Sequence, residues 1–141
     1  MALEAVLMDK FSAELASLLA ALADPTRLRL VNLIAGGEVC VCHLVDVLGQ
    51  KQSKVSRHLA HLRKAGVVAA RREGTWMHYR LMPQPDPASA GLLRAALEAL
   101  ANLPGSEEER VALARMRCAP PLVQLAAGQA AGLTAAPSGQ I

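Results

Sequence analysis

Aromatic side chains are almost missing from this chain of 141 residues: Phe11, Trp76 and Tyr79 are all it has. Apolar residues still make up 52% of it, so a core can be filled, but with aliphatic side chains. The Ala and Leu that dominate favour helices. No uncharged apolar run approaches the roughly 20 residues that span a bilayer, so no membrane helix is expected. The first residues, "MALEAVLMDKFSAELASLLAALA", also lack the basic start and unbroken apolar stretch of a secretory signal. Glu4, Asp9, Lys10 and Glu14 interrupt them. A cytoplasmic protein is the expectation. Cysteine is scarce as well. Cys40, Cys42 and Cys118 cannot all pair within one chain, and a reducing compartment keeps thiols free to act as thiolate ligands.

Acid is what residues 51–80 lack. Lys51, Lys54, Arg57, Arg63, Lys64, Arg71, Arg72 and Arg80 face Glu73 alone, a net of +7 in a chain whose total is +3. Three of the four histidines fall in the same block. Such a concentration suits a polyanionic partner, although a solvated helix face would carry the same charges.

Periodicity places these residues on elements. Residues 3–23 read as one or two helices with a stripe through Leu15, Leu18, Leu19 and Leu22. In "DPTRLRLVNLIAGG", Asp24 can cap a helix whose first position suits Pro25, and Gly36 and Gly37 stop it. A short helix over 40–48 follows, with Val41, Leu44, Val45 and Leu48 at helical spacing, ended by Gly49. The next helix runs from about Gln52 to Ala65 with Val55, Leu59 and Leu62 inward. Ser53, Ser56, Arg57, Ala60 and Lys64 fall on its opposite face. "VVAARREGTWMHYRL" then alternates with period two about "EG", a β-hairpin with basic residues near its tip. Residues 88–103 form another helix, and Ser106 with Glu109 opens a last one with a capping box. Residues 119–141 carry no charge and read as a poorly ordered tail.

Two helices across a glycine turn, followed by a basic hairpin, describe a winged helix-turn-helix. The expected fold class is mainly α (α+β), a winged helix-turn-helix with a two-stranded wing and helical elements at both ends. Residues 1–103 form the DNA-binding domain, 104–118 a helical extension and 119–141 the tail. The second helix of such a unit enters the major groove of double-stranded DNA. Arg57 there suits a bidentate contact to guanine and Gln52 suits adenine. Ser53 and Ser56 can bond bases or phosphates, while Lys54 and Lys64 supply charge along the helix. Arg71 and Arg72 on the hairpin would meet phosphates. Trp76 reads as a packing anchor, and His58 as a residue beside the apolar stripe.

"LADPTRLRLVNLI", "GEVCVCHL", "QSKVSRHLAHLRKAGVV" and "RREGTWMHYRL", in that order, closely resemble the ArsR/SmtB family of metalloregulatory repressors. The resemblance covers about Leu15 to Leu81. It implies a homodimer, joined through its first and last helices, that binds operator DNA until a thiophilic ion binds. It also implies that Gln52, Ser53, Ser56 and Arg57 contact bases, the face that periodicity selects. Within the family, "CVC" at this position is similar to members that respond to arsenite and antimonite. Zinc sensors place His and acidic pairs on the last long helix, and residues 86–118 contain no histidine, so no zinc site is expected.

On a regular helix Cys40 and Cys42 would point about 200° apart and could not grip one small ion. In extended backbone they would point the same way. Ligand binding is therefore expected to fray the first turn of the helix before the recognition helix. Sulfur selects soft ions, and the resemblance implies that these are As(III) or Sb(III). Many family members supply a third thiolate three residues after the second cysteine. Val45 stands there, which leaves Cys118 as the candidate third ligand. His43 would lie on the solvated side of its helix. Other readings stay open: a thiol redox switch in a DNA-binding repressor, a C-x-C thiol–disulfide enzyme, a nucleoid-type architectural protein in which the cysteine pair is idle, and buried cysteines of no chemical role.

Overall fold

The computed structural model describes residues 2–117; Cys118 and the expected tail at 119–141 lie outside them. Six helices and three short strands follow in the order α1 (Ala2–Leu22), α2 (Pro25–Ile34), β1 (Val39–Cys40), α3 (Val41–Leu48), α4 (Gln52–Lys64), β2 (Val68–Glu73), β3 (Trp76–Leu81), α5 (Pro87–Ala101) and α6 (Ser106–Arg117). No described helix is long and apolar enough to cross a membrane.

Helix α2 is the centre of the fold because it is buried on nearly every side. Asp24 caps it, its carboxylate accepting from the Arg27 N–H at 3.0 Å, and Pro25 follows at the first position. Leu30, Val31, Asn32, Leu33 and Ile34 are all buried, a run that only a surrounded helix can carry. Helices α1, α4, α5 and α6 all pack on it. The core they share joins Leu18 and Leu22 of α1 to Leu44 and Leu48 of α3 and to Val55, Leu59 and Leu62 of α4. Leu93 and Leu100 of α5 and Leu113 of α6 close it.

Helices α3 and α4 form the helix-turn-helix. Gly49, at φ 63°, takes the left-handed conformation that ends α3, and its N–H donates to the Val45 carbonyl at 3.0 Å. The apolar spacing thus set both helices and their turn correctly.

The hairpin wing forms as expected, and a further strand joins it. Strands β2 and β3 pair from Val68↔Leu81 to Glu73↔Trp76, and Gly74, at φ 61°, opens the two-residue loop between them. A third strand was not anticipated. Val39 and Cys40 pair antiparallel with Tyr79 and His78, giving the sheet order β1-β3-β2. Two residues make no periodic pattern in the sequence; only the open edge of β3 gives them somewhere to bond.

Three further expectations are corrected by tertiary packing. Leu19 is 52% exposed, because Ala21 rather than Leu19 turns inward beside Leu18 and Leu22. The capping box does not form. Ser106 Oγ accepts from Arg110, four residues on, at 2.7 Å, and Glu109 is drawn to Arg29 of α2 at 2.6 Å, so both side chains have other partners. The helix expected over 40–48 begins at Val41, with Cys40 outside it.

Candidate functional site

The outer face of α4 stands as periodicity placed it. Val55, Leu59 and Leu62 are buried. Gln52, Ser53, Lys54, Arg57 and Lys64 are exposed, and Ser56 is half-buried. Lys51 sits at the N-cap, where it offers a cation instead of a capping oxygen. The first N–H groups of the helix therefore point outward beside positive charge, an arrangement that attracts anions.

Arg27, which the sequence did not single out, and His58 fix this helix in place. Arg27 of α2 donates through Nε to the Ala21 carbonyl at 2.6 Å and through Nη2 to that of Ala20 at 3.2 Å. Its Nη1 lies 3.2 Å from His58 Nδ1 on α4. One guanidinium thus ties the end of α1 to the middle of the recognition helix. His58 Nδ1 also lies 3.7 Å from the Asp24 carboxylate. Burial is the main cause that lowers the His58 pKa. "DPTR" carried the signal, but as sequence it reads only as a helix start.

On the wing, Arg71 and Arg72 are both exposed, and as neighbours on a strand they face opposite ways. Arg71 is already engaged. Its Nε and Nη2 meet Glu38 Oε1 at 2.8 and 2.6 Å, and its Nη1 meets Glu73 Oε2 at 3.1 Å. The hydrogen bond from Arg71 is the largest cause that holds the Glu38 carboxyl below its usual range.

The cysteines lie at the junction of the sheet and α3. Cys40, at φ −68° and ψ 140°, is extended and caps α3, its sulfur accepting from the Cys42 N–H at 3.4 Å. The pair is therefore already brought together, and no turn of helix has to fray first. This corrects the expectation of two thiols on opposite sides of a helix. Both are buried, at 4% and 5% exposure. The Cys42 thiol donates to the Cys40 sulfur, the largest cause lowering the Cys40 pKa to about 7. The N–H groups of Cys42 and His43 add to it, as helix N-termini do for thiolates. That same hydrogen bond, with burial, pushes the Cys42 thiol up.

His43 is also corrected, being 2% exposed instead of solvated. Helix α6 packs on α3 and covers this side, which no local pattern reveals. Its Nε2 has no hydrogen-bond partner among the described residues, and burial is the main cause that lowers its pKa. At the end of α6, Arg117 Nη2 donates to the Glu38 carbonyl at 2.9 Å, two residues before Cys40. Among the described residues no three His, Cys, Asp or Glu side chains form a group that could hold a metal ion. The described thiols supply two soft ligands.

Residues 24–70 match the model of a family described as bacterial regulatory protein, arsR family. Over 79 residues the chain is 47% identical to the arsenic resistance transcriptional regulator ArsR1 of Pseudomonas putida, covering 55% of this chain and 62% of that protein. It is 46% identical, also over 79 residues, to the ArsR2 regulator of the same organism, covering 55% and 69%. The chain belongs to the arsR family. Among solved structures, reduced HlyU from Vibrio cholerae superposes on this arsR-family chain with a TM-score of 0.57 and 31% identity, over 68% of this chain and 97% of that one. The match to ArsR1 spans less than two-thirds of that regulator's length. The family's description is that of a regulatory protein, which accords with a helix-turn-helix rather than with a thiol–disulfide centre.

Proposed function

We propose that this chain is an arsenic-responsive transcriptional repressor. As a homodimer it binds double-stranded operator DNA and leaves it when As(III) or Sb(III) binds its cysteine thiolates. One observation carries the proposal: the paired thiols of Cys40 and Cys42 sit at the N-cap of α3, directly ahead of a helix with a cationic outer face. The arsenic resistance named in both related regulators supports it.

In this reading Gln52, Ser53, Ser56 and Arg57 meet base edges, and Lys54, Lys64 and Arg72 meet phosphates. A metalloid supplies a centre that must be shared by the two sulfurs. Because Cys40 is both a strand residue and the cap of α3, any rotation about it tilts α3, and the turn at 49–51 passes the tilt to α4. Cys118 is the proposed third ligand. It follows Arg117, which is bonded to the backbone of residues 37 and 38, so the sequence places this thiol next to a residue that already reaches the thiol loop. Zinc plays no part.

The test is an arsenite titration of protein bound to its own promoter under reducing conditions. Arsenite is expected to release the wild type. Cys40→Ser and Cys42→Ser should bind DNA and ignore arsenite. Cys118→Ser should respond weakly to arsenite yet fully to phenylarsine oxide, which needs only two thiols. A wild-type complex that arsenite leaves intact would overturn the proposal. Release by oxidant alone, reversed by reductant, would establish a redox switch in its place. An arsenite response of Cys118→Ser superimposable on wild type would remove the third ligand.

A further inference from the structure

Glu38, Cys40, Arg71, Glu73 and His78 lie on one face of the sheet. Cys40 on β1 and Arg71 on β2 both stand opposite His78 of the middle strand β3. Directly paired residues of antiparallel strands project to the same face, so Cys40, His78 and Arg71 form one row across the sheet. Glu73, two residues beyond Arg71, points the same way. Its Oε2 lies 3.1 Å from Arg71 Nη1 and 3.5 Å from His78 Nε2. Glu38, two residues before Cys40, closes the row by taking two guanidinium nitrogens of Arg71 on a single oxygen. The backbone at Glu38 is held from the other side, by Arg117 of α6.

We infer that Glu38 and Arg71 are positioning residues that couple the thiol pair to the wing. The inference rests on the metalloid-responsive reading above and adds a second route to it. The first route runs from Cys40 into α3 and α4. The second runs backward from Cys40 through one intervening residue to Glu38, and from there through Arg71 into the tip of the wing. Strand β1 is two residues long, so a change in the backbone at Cys40 cannot be absorbed within it before Glu38 is reached. When the carboxylate moves, Arg71 must follow or lose both close contacts. The wing then shifts relative to α4, and the two elements no longer fit one duplex together. Arg72, on the opposite face of the same strand, is carried along.

A double-mutant cycle tests this. Operator dissociation constants are measured with and without saturating arsenite for the wild-type protein, Glu38→Gln, Arg71→Gln and the double variant. Each protein is read as its own ratio of the two constants, which cancels any change in DNA affinity alone. Ordinary coupling between two sites is about 5–150-fold. Each single variant should lose part of the wild-type ratio, about its square root if the two routes contribute equally, and keep the rest through α3 and α4. The double variant should lose no more than either single one, because residues acting as a unit are not additive. Arsenite stoichiometry should be unchanged, a readout that a merely collapsed thiol site would move. A Glu38→Gln ratio equal to that of wild type would overturn the inference alone. So would a double variant that loses the product of the two single losses. A wild-type ratio of one would overturn the metalloid-responsive reading, and this inference with it.

Discussion

Arg57 and Arg72 are both exposed cations, but the proposed reading sets their elements against DNA differently. Arg57 stands on the outer face of α4, which that reading turns toward base edges. Its replacement by Ala should cost about 1–3 kcal/mol of discrimination between operator and unrelated DNA. Arg72→Ala should weaken all sequences alike and reduce the slope of log affinity against log salt by about one. Competition binding at several salt concentrations separates the two, and an Arg57→Ala protein with undiminished preference for its operator would refute the placement of α4. The thiols give a second outcome at this scale. With Cys118→Ser as background, thiolate ultraviolet absorbance should rise near pH 7 as Cys40 ionises. Adding Cys42→Ala removes the largest cause of that lowering, so the step should move up toward the ordinary thiol value of 9.0. Thiolates are the ligands, so lowering the pH through about 7 should weaken arsenite binding to the unmodified pair. An unmoved step would mean that the two thiols do not share a proton.

Helices here are held at their ends as much as along their faces. Asp24 accepts from the Arg27 N–H, and this bond is the main cause that lowers its carboxyl pKa below 3.8. A carboxyl with a depressed folded-state pKa stabilises above the unfolded value and loses that contribution as pH falls through the folded one. Asp24→Ala should therefore cost about 0.5–2 kcal/mol at neutral pH and progressively less in acid, below about pH 4. Urea denaturation at two pH values measures both. An equal penalty at pH 7 and in strong acid would assign the loss to packing instead of the cap. Because Arg27 also holds His58, the same variant should loosen α4 and lower operator affinity.

At the scale of the whole molecule, α1 carries an uncovered apolar surface. Leu3, Val6, Leu7, Met8 and Phe11 are all exposed, at 40–70%, although Leu18, Ala21 and Leu22 near the C-terminal end of the helix are buried. Patches of this kind mark association surfaces. A two-fold dimer through α1 would present two copies of α4, so half-sites should form an inverted repeat spaced by about one helical turn of DNA, 34–36 Å, or a multiple. Phe11→Glu together with Leu7→Glu should give a monomer by light scattering and abolish symmetric operator footprints. A double variant that stays dimeric would place the interface elsewhere.

Much of this protein was determined by the sequence alone. Apolar spacing in "CHLVDVLGQKQSKVSRHLAHLRKAGVV" specifies α3, the turn at Gly49 and α4, and with them the outward set Gln52, Ser53 and Arg57, because helical periodicity is a local property. Alternation and a turn glycine likewise specify the hairpin. Tertiary structure decided what depends on partners distant along the chain. Strand β1 exists because β3 has an edge to offer, and this pairing takes Cys40 out of α3 and brings its sulfur to Cys42. His43 is buried because α6, more than sixty residues later, packs over it. Arg71 reads as one cation among eight until Glu38, 33 residues away, is folded against it. Charge and periodicity are written residue by residue, whereas the choice of ion-pair partner depends on which side chains the finished core brings within about 4 Å.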